Sequence, residues 1–582
     1  MENLEISQIF KQIVDLLEIQ DANPFRVRAY RNAARVVAEY PRPLRKLVAE
    51  EADLTELPSI GKDTARYIRE LVETGELGKD IPPDLMQVMK LPGVGPKKAR
   101  KLWLELGVES IDDLEVEAAE GRVAELSGFG EKSQEKILAG IERFRKNVQR
   151  FGLSTVDQII QPLLEDLRSV EGIERLEVAG SHRRRKETVG DIDLLAVAAD
   201  AEPVMKAFLE HPRVAEIDMS GDTRSSVVLA SGLEVDLRVV PAESYGAALV
   251  YFTGSKEHNI KLRQRALDRG LHLSEYGLFE RGEDEDDEER EGRYEEGRVA
   301  APEEEDIYAA VDLPWILPTL REDRGEIEAA ERGELPEVVT LDDIRGDLHM
   351  HSVWSDGKVT IEEMLEACVA KGYEYMAISD HSKALAMTGG MDAEKLRRQF
   401  LEIDNVRGRH DEIRLLRSME IDILADGSLD LEDEMIDELD IVLVSIHSRF
   451  QLPRDEQTKR LIRAIEHPAV QVVGHPFGRR IGRRQPIDVD VDEVLHCALE
   501  NGVAMELNAH PERLDLSDTN LIKARDLGVK LVISTDAHKP AHLDLMSYGI
   551  EQAQRAWLTP EHVINARPLE EFLKRVDRGW KA

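Results

Sequence analysis

With 582 residues the chain is too long for one ordinary core and has room for three or four domains. It carries 116 acidic against 77 basic residues, a formal net charge of -39, and its basic set divides into 25 Lys and 52 Arg. No apolar run approaches the ~20 residues of a membrane span, two cysteines exclude a disulfide framework and fit a reducing cytoplasm, and so negative a field excludes nucleic-acid binding unless positive charge is concentrated locally.

Residues 1–148 read as a helical domain. The opening MENLEISQIFKQIVDLLEIQ has helical periodicity and no cationic segment followed by a pure apolar one, so it is an amphipathic helix and not a signal peptide. Leu57-Pro58-Ser59-Ile60-Gly61 and Leu91-Pro92-Gly93-Val94-Gly95 are two copies of one motif, and Leu126-Ser127-Gly128-Phe129-Gly130 is a weaker third. Gly61, Gly93, Gly95, Gly128 and Gly130 permit positive φ and close approach of a phosphate, and the helix start that follows offers free N–H groups. That is helix-hairpin-helix logic, a sequence-independent grip on the DNA backbone. A single copy would read equally well as a glycine helix cap. Repetition, with the basic stretch Phe25-Arg26-Val27-Arg28-Ala29-Tyr30-Arg31 nearby, favours DNA.

Residues 149–241 mix strands and helices, as in an α+β nucleotidyltransferase palm. Gly180-Ser181-His182-Arg183-Arg184 follows a strand-like LEVA and can turn backbone N–H groups and a hydroxyl towards a phosphate. Asp191 and Asp193 lie two apart on a strand, so both carboxylates share one face. Asp236 alternates with Val235, Leu237 and Val239 on a later strand and supplies a third. Three carboxylates suit a pair of hard cations, Mg²⁺ or Mn²⁺, that handle a primer hydroxyl and a triphosphate.

Residues 242–320 continue the mixed pattern of strands and helices. Within them, residues 280–306 carry a strongly acidic run, the mark of a solvated loop or hairpin. Residues 321–344 are motif-poor and read as a linker containing a short helix. From 345 to 582 short apolar runs end in ligand-type residues: RGDLHMH, YMAISDH, LLRSMEID, IVLVSIH, VQVVGH, VAMELN and KLVISTDAH. That repeat describes a TIM-like (β/α)7 barrel with its chemistry at the strand C-termini. His349, His351, Asp356, His381, Glu420, His447, His475, Asp536 and His538 are the candidate ligands. Imidazole mixed with carboxylate favours Zn²⁺, Mn²⁺ or Fe over Mg²⁺, and the set could hold up to three ions. Arg479, Arg480, Arg483 and Arg484 follow the His475 strand; DNA binding and a solvated basic loop are equally compatible with them.

Tyr251-Phe252-Thr253-Gly254-Ser255-Lys256-Glu257-His258-Asn259, continuing to Arg263, resembles the nucleotide-binding segment of the DNA polymerase beta family, family X. The resemblance implies that residues 242–320 form a thumb-type nucleotide-binding subdomain, that Tyr251 and Phe252 line the sugar pocket beside Gly254, that Asn259 touches the base edge and Arg263 the template, and that Ser181, Arg184 and Gly190 contact the triphosphate. Arg150 fits a further phosphate-binding arginine by spacing alone. The barrel's residues resemble the PHP family (polymerase and histidinol phosphatase), which implies a trinuclear site for phosphodiester hydrolysis with Glu420 bridging. In that scheme one ion takes His349, His351, Glu420 and Asp536, a second takes His447 and His475 with Glu420, and a third takes Asp356, His381 and His538.

Taken together, the sequence is similar to family X polymerases fused to a C-terminal PHP domain. The fusion implies gap filling in DNA repair with a 3′–5′ exonuclease, an abasic-site endonuclease as a further activity, DNA with gaps or primer ends and dNTPs as partners, no membrane, and a monomer in the cytoplasm. A small-metabolite phosphatase with a vestigial palm, or a DNA scaffold with two dead sites, would not need complete ligand sets. Two residues depart from the family. Arg185 stands where glycine is usual, and Tyr67 stands where a Schiff-base lysine would support lyase chemistry. The few lysines, many arginines and excess carboxylate suggest adaptation to a salty cytoplasm, with plain solubility as the alternative.

Overall fold

A computed structural model describes residues 33–34, 36–37, 44–49, 52, 54–57, 60–61, 64–69, 88, 91, 94, 96–147, 150–280, 297–299 and 301–576. The chain divides into two compact units, Met1–Gln149 and Arg150–Ala582.

The first unit is helical, with Leu44–Ala49, Pro96–Leu106, Ile111–Ala119, Arg122–Glu125 and Glu131–Asn147 as its described α-helices. The repeated motif explains its own packing. Ile60 is buried in one apolar cluster against Leu54 and Ile68. Leu91 and Val94 are buried in a second cluster with Leu102 and Leu114, and Leu126 and Phe129 pack against that cluster. In the first and third copies the apolar positions fasten the motif to a core and leave the glycine at the turn. Gly93 and Gly95, and the basic stretch 25–31, lie outside the described residues.

The second unit begins with a five-stranded sheet ordered β2 (Ile173–Val178), β4 (Asp191–Ala198), β7 (Glu234–Val240), β6 (Arg224–Leu229) and β5 (Val214–Met219), while β1 (Phe151–Gly152) and β3 (Thr188–Val189) form a separate ribbon. β4 and β7 run parallel and the other neighbours antiparallel. Val235, Leu237 and Val239 are buried on one face of β7, the alternation the sequence predicts. The helix Leu153–Arg168 covers that face with Val156, Ile160 and Leu163. Next come the helices Tyr245–Thr253 and Lys256–Leu267 and a three-stranded antiparallel sheet of β8 (Leu271–Ser274), β9 (Gly277–Glu280) and β10 (Arg298–Val299). Most of the acidic run, 281–296, lies outside the described residues.

Residues 321–344 are not a free linker. Glu326–Arg332 forms the expected helix, but Arg321 is wholly buried, with Nη1 2.7 Å from Glu304 Oε1 and Nε donating to the Ile316 carbonyl at 2.8 Å. Glu326 is buried against His258 Nδ1 at 2.6 Å. A guanidinium and a carboxylate without partners could not be buried at tolerable cost. Their neighbours in the preceding subdomain supply the partners, which the segment's own sequence does not reveal.

The barrel is a seven-stranded parallel sheet in sequence order: β11 (Gly346–Asp347), β12 (Tyr375–Ile378), β13 (Arg414–Asp422), β14 (Ile441–Ser445), β15 (Val472–Val473), β16 (Ala504–Asn508) and β17 (Leu531–Ser534). A bridge between Met350 and Ala537 brings the two ends of the sheet together, leaving a nearly closed TIM-like barrel. Leu348, Leu416, Leu443, Val472 and Val532 fill its interior together with Phe572 from the helix Leu569–Val576. Phe572 stacks on Tyr375 at 4.3 Å, at the strands' N-terminal end.

The net charge of -39 sets up self-repulsion across this fold. The Debye length falls from ~30 Å at 0.01 M salt to ~3 Å at 1 M, so added salt screens that repulsion. The melting temperature is therefore expected to rise steadily from about 0.05 M to about 2 M KCl. A flat melting series would leave the acidity as a solubility feature alone.

Candidate active sites

In the first unit, Gly61 donates its N–H to Thr64 Oγ1 at 2.8 Å and accepts from the same hydroxyl at 2.9 Å, so it caps the helix that follows. Gly128 has φ +89° in a turn beside Gly130, whose carbonyl accepts from Ser133 and Gln134 at the start of Glu131–Asn147. Lys98 sits 5.0 Å from the Phe129 ring centre, and Lys101 bonds the Ser127 carbonyl. Two cations thus flank the third motif.

In the second unit, β4 and β7 put Asp193 directly opposite Asp236, with Asp191 at the exposed start of the strand. Burial pushes the Asp193 carboxyl up to about 7, and the charges of Asp191 and Asp236 add to the effect. Three carboxylates gathered on paired strands, with Arg224 Nη2 3.6 Å from Asp236, form a donor set that fits hard divalent cations. Gly180 has φ +63°, and a Cβ there would lie 2.5 Å from Asp193 Oδ2, so the turn can approach the carboxylates only as glycine. Gly180–Arg183 is one helical turn rather than an open loop, and its buried start lies against β4.

The remaining nucleotide-segment residues gather around this turn. Arg184 donates from Nη1 to the Thr253 carbonyl at 2.5 Å, and a Cβ on Gly254 would lie 3.1 Å from that nitrogen. Arg150 donates to Thr188 Oγ1 at 2.9 Å and passes 3.3 Å from where a Cβ on Gly190 would sit. Tyr251 is half-exposed and meets Phe252 edge-on at 5.0 Å, and Arg238 from β7 lies 4.5 Å from the Phe252 ring centre. Asn259 donates to the Tyr251 carbonyl at 2.7 Å while its buried Oδ1 has no partner among the described residues, and Asn259, Tyr251 and Arg263 line a small crevice.

In the barrel, the ligand-type residues lie at or just beyond the C-terminal ends of the strands. Glu420, fully buried on β13, is the hub. Its Oε1 lies 2.8 Å from His475 Nε2 and 3.2 Å from His447 Nε2. Its Oε2 lies 2.9 Å from His381 Nδ1 and 3.3 Å from His349 Nε2. Asp536 Oδ1 lies 3.1 Å from His351 Nε2, and Asp356 Oδ2 lies 3.3 Å from His538 Nε2. The ligand atoms form overlapping groups, each within 4.8 Å: His351, Asp356, His381 and His538; His349, His351 and Asp536; His349, Glu420 and His475; His381, Glu420 and His447. His447 and His475 both approach Glu420 Oε1, and each falls in a group that contains Glu420. Both Glu420 oxygens, His349 Nε2, His447 Nε2 and both His351 nitrogens are buried without hydrogen-bond partners among the described residues, an arrangement that metal ligation would satisfy. His475 and Asp536 hold positive φ, backbone strain of the kind stored at working sites.

Several contributors escape a reading of the sequence. Glu506 accepts from His349 Nδ1 at 2.7 Å, Asp422 lies 3.2 Å from His447 Nδ1, and Arg513 Nε lies 3.3 Å from Asp536 Oδ2. Glu506 and Asp422 orient imidazoles in the way that carboxylates behind metal-ligating histidines do. The only signal is position: Asp422 follows Glu420 by two, and Glu506 is the acidic residue inside the apolar run VAMELN. Among the four arginines after His475, Arg479 is engaged with Glu187 at 2.7 Å, so it is neither a free DNA contact nor solvated.

Models of known families match along the chain: a helix-hairpin-helix domain over residues 1–77, a SAM-like helix-hairpin-helix tandem over 85–143, a DNA polymerase beta thumb over 248–322, and a PHP domain over 347–510. The chain is 40% identical to the DNA polymerase/3′-5′ exonuclease PolX of Bacillus subtilis (strain 168), over 99% of this chain and 100% of that one. It is 24% identical to DNA polymerase lambda of Arabidopsis thaliana, over 54% of this chain and 61% of that one. A probable phosphatase of Thermoanaerobacter sp. (strain X514) is 27% identical over 40% of this chain and 95% of its own length.

Proposed function

The chain belongs to the family X DNA polymerases that carry a PHP domain, and on that premise we propose that it fills short gaps during DNA repair and trims DNA 3′ ends with the barrel. The observation that carries the reading is the convergence of Asp191, Asp193 and Asp236 on paired strands beside the turn Gly180–Arg184 and the segment Tyr251–Arg263. Asp191, Asp193 and Asp236 would hold Mg²⁺ or Mn²⁺, which when bound supplies charge neutralisation at the primer hydroxyl and the leaving pyrophosphate. Ser181, Arg184, Gly190 and Arg150 take the triphosphate, Tyr251, Phe252 and Gly254 the sugar, Asn259 the base and Arg263 the template. Gly61, Gly93, Gly95, Gly128 and Gly130 grip the DNA backbone without reading its sequence.

The barrel's histidines and carboxylates would hold up to three Zn²⁺, Mn²⁺ or Fe ions, which supply activation of water and polarisation of the phosphate. Glu506 and Asp422 fix the imidazoles. A further abasic-site endonuclease activity would use the same centre. The protein would act as a monomer in the cytoplasm, consistent with two free cysteines and with the lack, among the described residues, of a helix long and apolar enough to cross a membrane. The test is extension of a gapped primer with Mg²⁺ or Mn²⁺, run beside degradation of a 5′-labelled strand with Mn²⁺. Stepwise shortening from the 3′ end is expected. Immediate release of the 5′ label would reverse the polarity, and no extension would sink the palm assignment.

A beta-type lyase is not part of the proposal. The position that would need a lysine is Tyr67, partly buried on the first apolar cluster with Arg66 5.0 Å from its ring centre. Borohydride trapping on a 5′-deoxyribose-phosphate substrate is expected to yield little adduct. Strong trapping at any lysine before residue 91 would overturn this.

A further inference from the structure

The triphosphate turn is not held by its own sheet alone. The barrel helix Met546–Arg555 reaches its main chain: Arg555 Nη1 donates to the Arg184 carbonyl at 2.7 Å, and Gln552 Nε2 donates to the Arg185 carbonyl at 2.8 Å. Gln552 and Arg555 are 1% and 2% exposed, so water does not compete for these bonds. Arg185, the departure from glycine, has φ +54°, a region that L side chains rarely adopt. Its guanidinium is gripped by Glu551 at 2.7 Å and by Asp157 at 3.3 Å, and its ring neighbour Tyr548 also donates to Asp157, at 2.7 Å. The barrel therefore holds the strained residue through both backbone and side chain.

The same helix aims Arg184. Glu322 Oε1 accepts from Arg184 Nε at 2.9 Å and from Arg555 Nη1 at 2.9 Å. Arg555 Nη2 is fixed in turn on Asp518 at 2.9 Å, which also takes Arg324 Nη2 at 2.9 Å. One buried guanidinium thus joins the turn's main chain, the carboxylate that orients Arg184, and a barrel carboxylate. Arg183, Arg184 and Arg185 are consecutive cations, each drawn to a different fixed anion. Without those anchors their mutual repulsion would spread the turn, and a binding loop ordered only by its ligand charges the ordering to its affinity.

We propose that the PHP barrel is part of the polymerase's nucleotide site, with Gln552 and Arg555 as positioning residues that hold the turn 181–186 and the Arg184 guanidinium in the geometry that accepts a triphosphate. This rests on the palm reading above. The barrel's presence in one chain with the palm then has a role in nucleotide addition that is independent of hydrolysis.

The test uses the full chain carrying Gln552→Met or Arg555→Lys, with melting temperature, dNTP KM and kcat on a gapped primer, and hydrolysis of a labelled single strand. Gln552→Met keeps bulk and removes one donor, so it remains informative if Arg555→Lys fails to fold. Loss of a buried hydrogen bond of a charged group corresponds to about tenfold, so Arg555→Lys is expected to raise KM for dNTP about tenfold and Gln552→Met about threefold, with kcat and hydrolysis nearly unchanged. Folded variants with unchanged KM would overturn the proposal. So would a joint fall of KM-normalised rate, kcat, hydrolysis and melting temperature, which marks a merely structural contact. An unaltered chain that adds no nucleotide would instead sink the palm reading, and this proposal with it.

Discussion

Asp193→Ala is expected to abolish primer extension, by at least about 10³-fold, while single-strand hydrolysis continues at the unaltered rate. Asp193 occupies the most confined position of the three palm carboxylates: it pairs in register with Asp236, it is crowded by Gly180, and its carboxyl is pushed up to about 7 by burial and by its two acidic neighbours. Divalent cations sharing the site would favour the anionic form of such a group. Removing it takes away both a ligand and the charge that draws the ions in. Asp193→Asn, which keeps the shape, should be nearly as inactive, whereas a packing defect would spare the isosteric change. The measurement is single-nucleotide gap filling by purified full-length protein, with hydrolysis in the same tube as the folding control. Undiminished extension by Asp193→Ala would refute the assignment.

The second large effect concerns the barrel. His349→Ala and Asp536→Ala should each remove hydrolysis by about 10³-fold or more and leave gap filling intact. His349 faces Glu420 on one side and Glu506 on the other, and Asp536 faces His351, so each belongs to a group that cannot close without it. Glu506→Gln separates ligation from orientation. It keeps the bulk behind His349 Nδ1 but weakens the acceptor, and metal affinity should fall about 10- to 100-fold with activity restored by excess Mn²⁺. If the purified chain degrades no DNA with Mn²⁺ or Zn²⁺, the barrel must be structural or act on small phosphates.

What the sequence made legible follows from periodicity and position. Alternation on β7 set Asp236 apart from Val235 and Leu237, and the recurrence of a ligand-type residue after each apolar run gave seven parallel strands and the end at which chemistry sits. Illegible were the features that depend on distant partners. Arg321 and Glu326 look like ordinary surface charges in a motif-poor stretch, and only the folded chain shows Glu304 and His258 waiting for them. Glu506 and Asp422 are acidic residues among 116, distinguished only by the imidazoles they face. Arg185 looked like a defect in a turn, because the helix that holds it lies more than 350 residues downstream.

The contact that closes the barrel joins Met350 to Ala537. During synthesis, therefore, the strand that opens the barrel must wait for the whole circuit to emerge before its outer edge is covered, and such long-range pairing is slow. By then the sheet of β2 to β7, whose pairings are all more local, can already have folded. A chain stalled short of β17 would carry every candidate ligand of the barrel except Asp536 and His538 and yet have no closed centre. The hydrolytic site thus matures late, and ribosome-bound or truncated chains that end before β17 should be silent as nucleases while presenting an uncovered strand edge to chaperones or to one another.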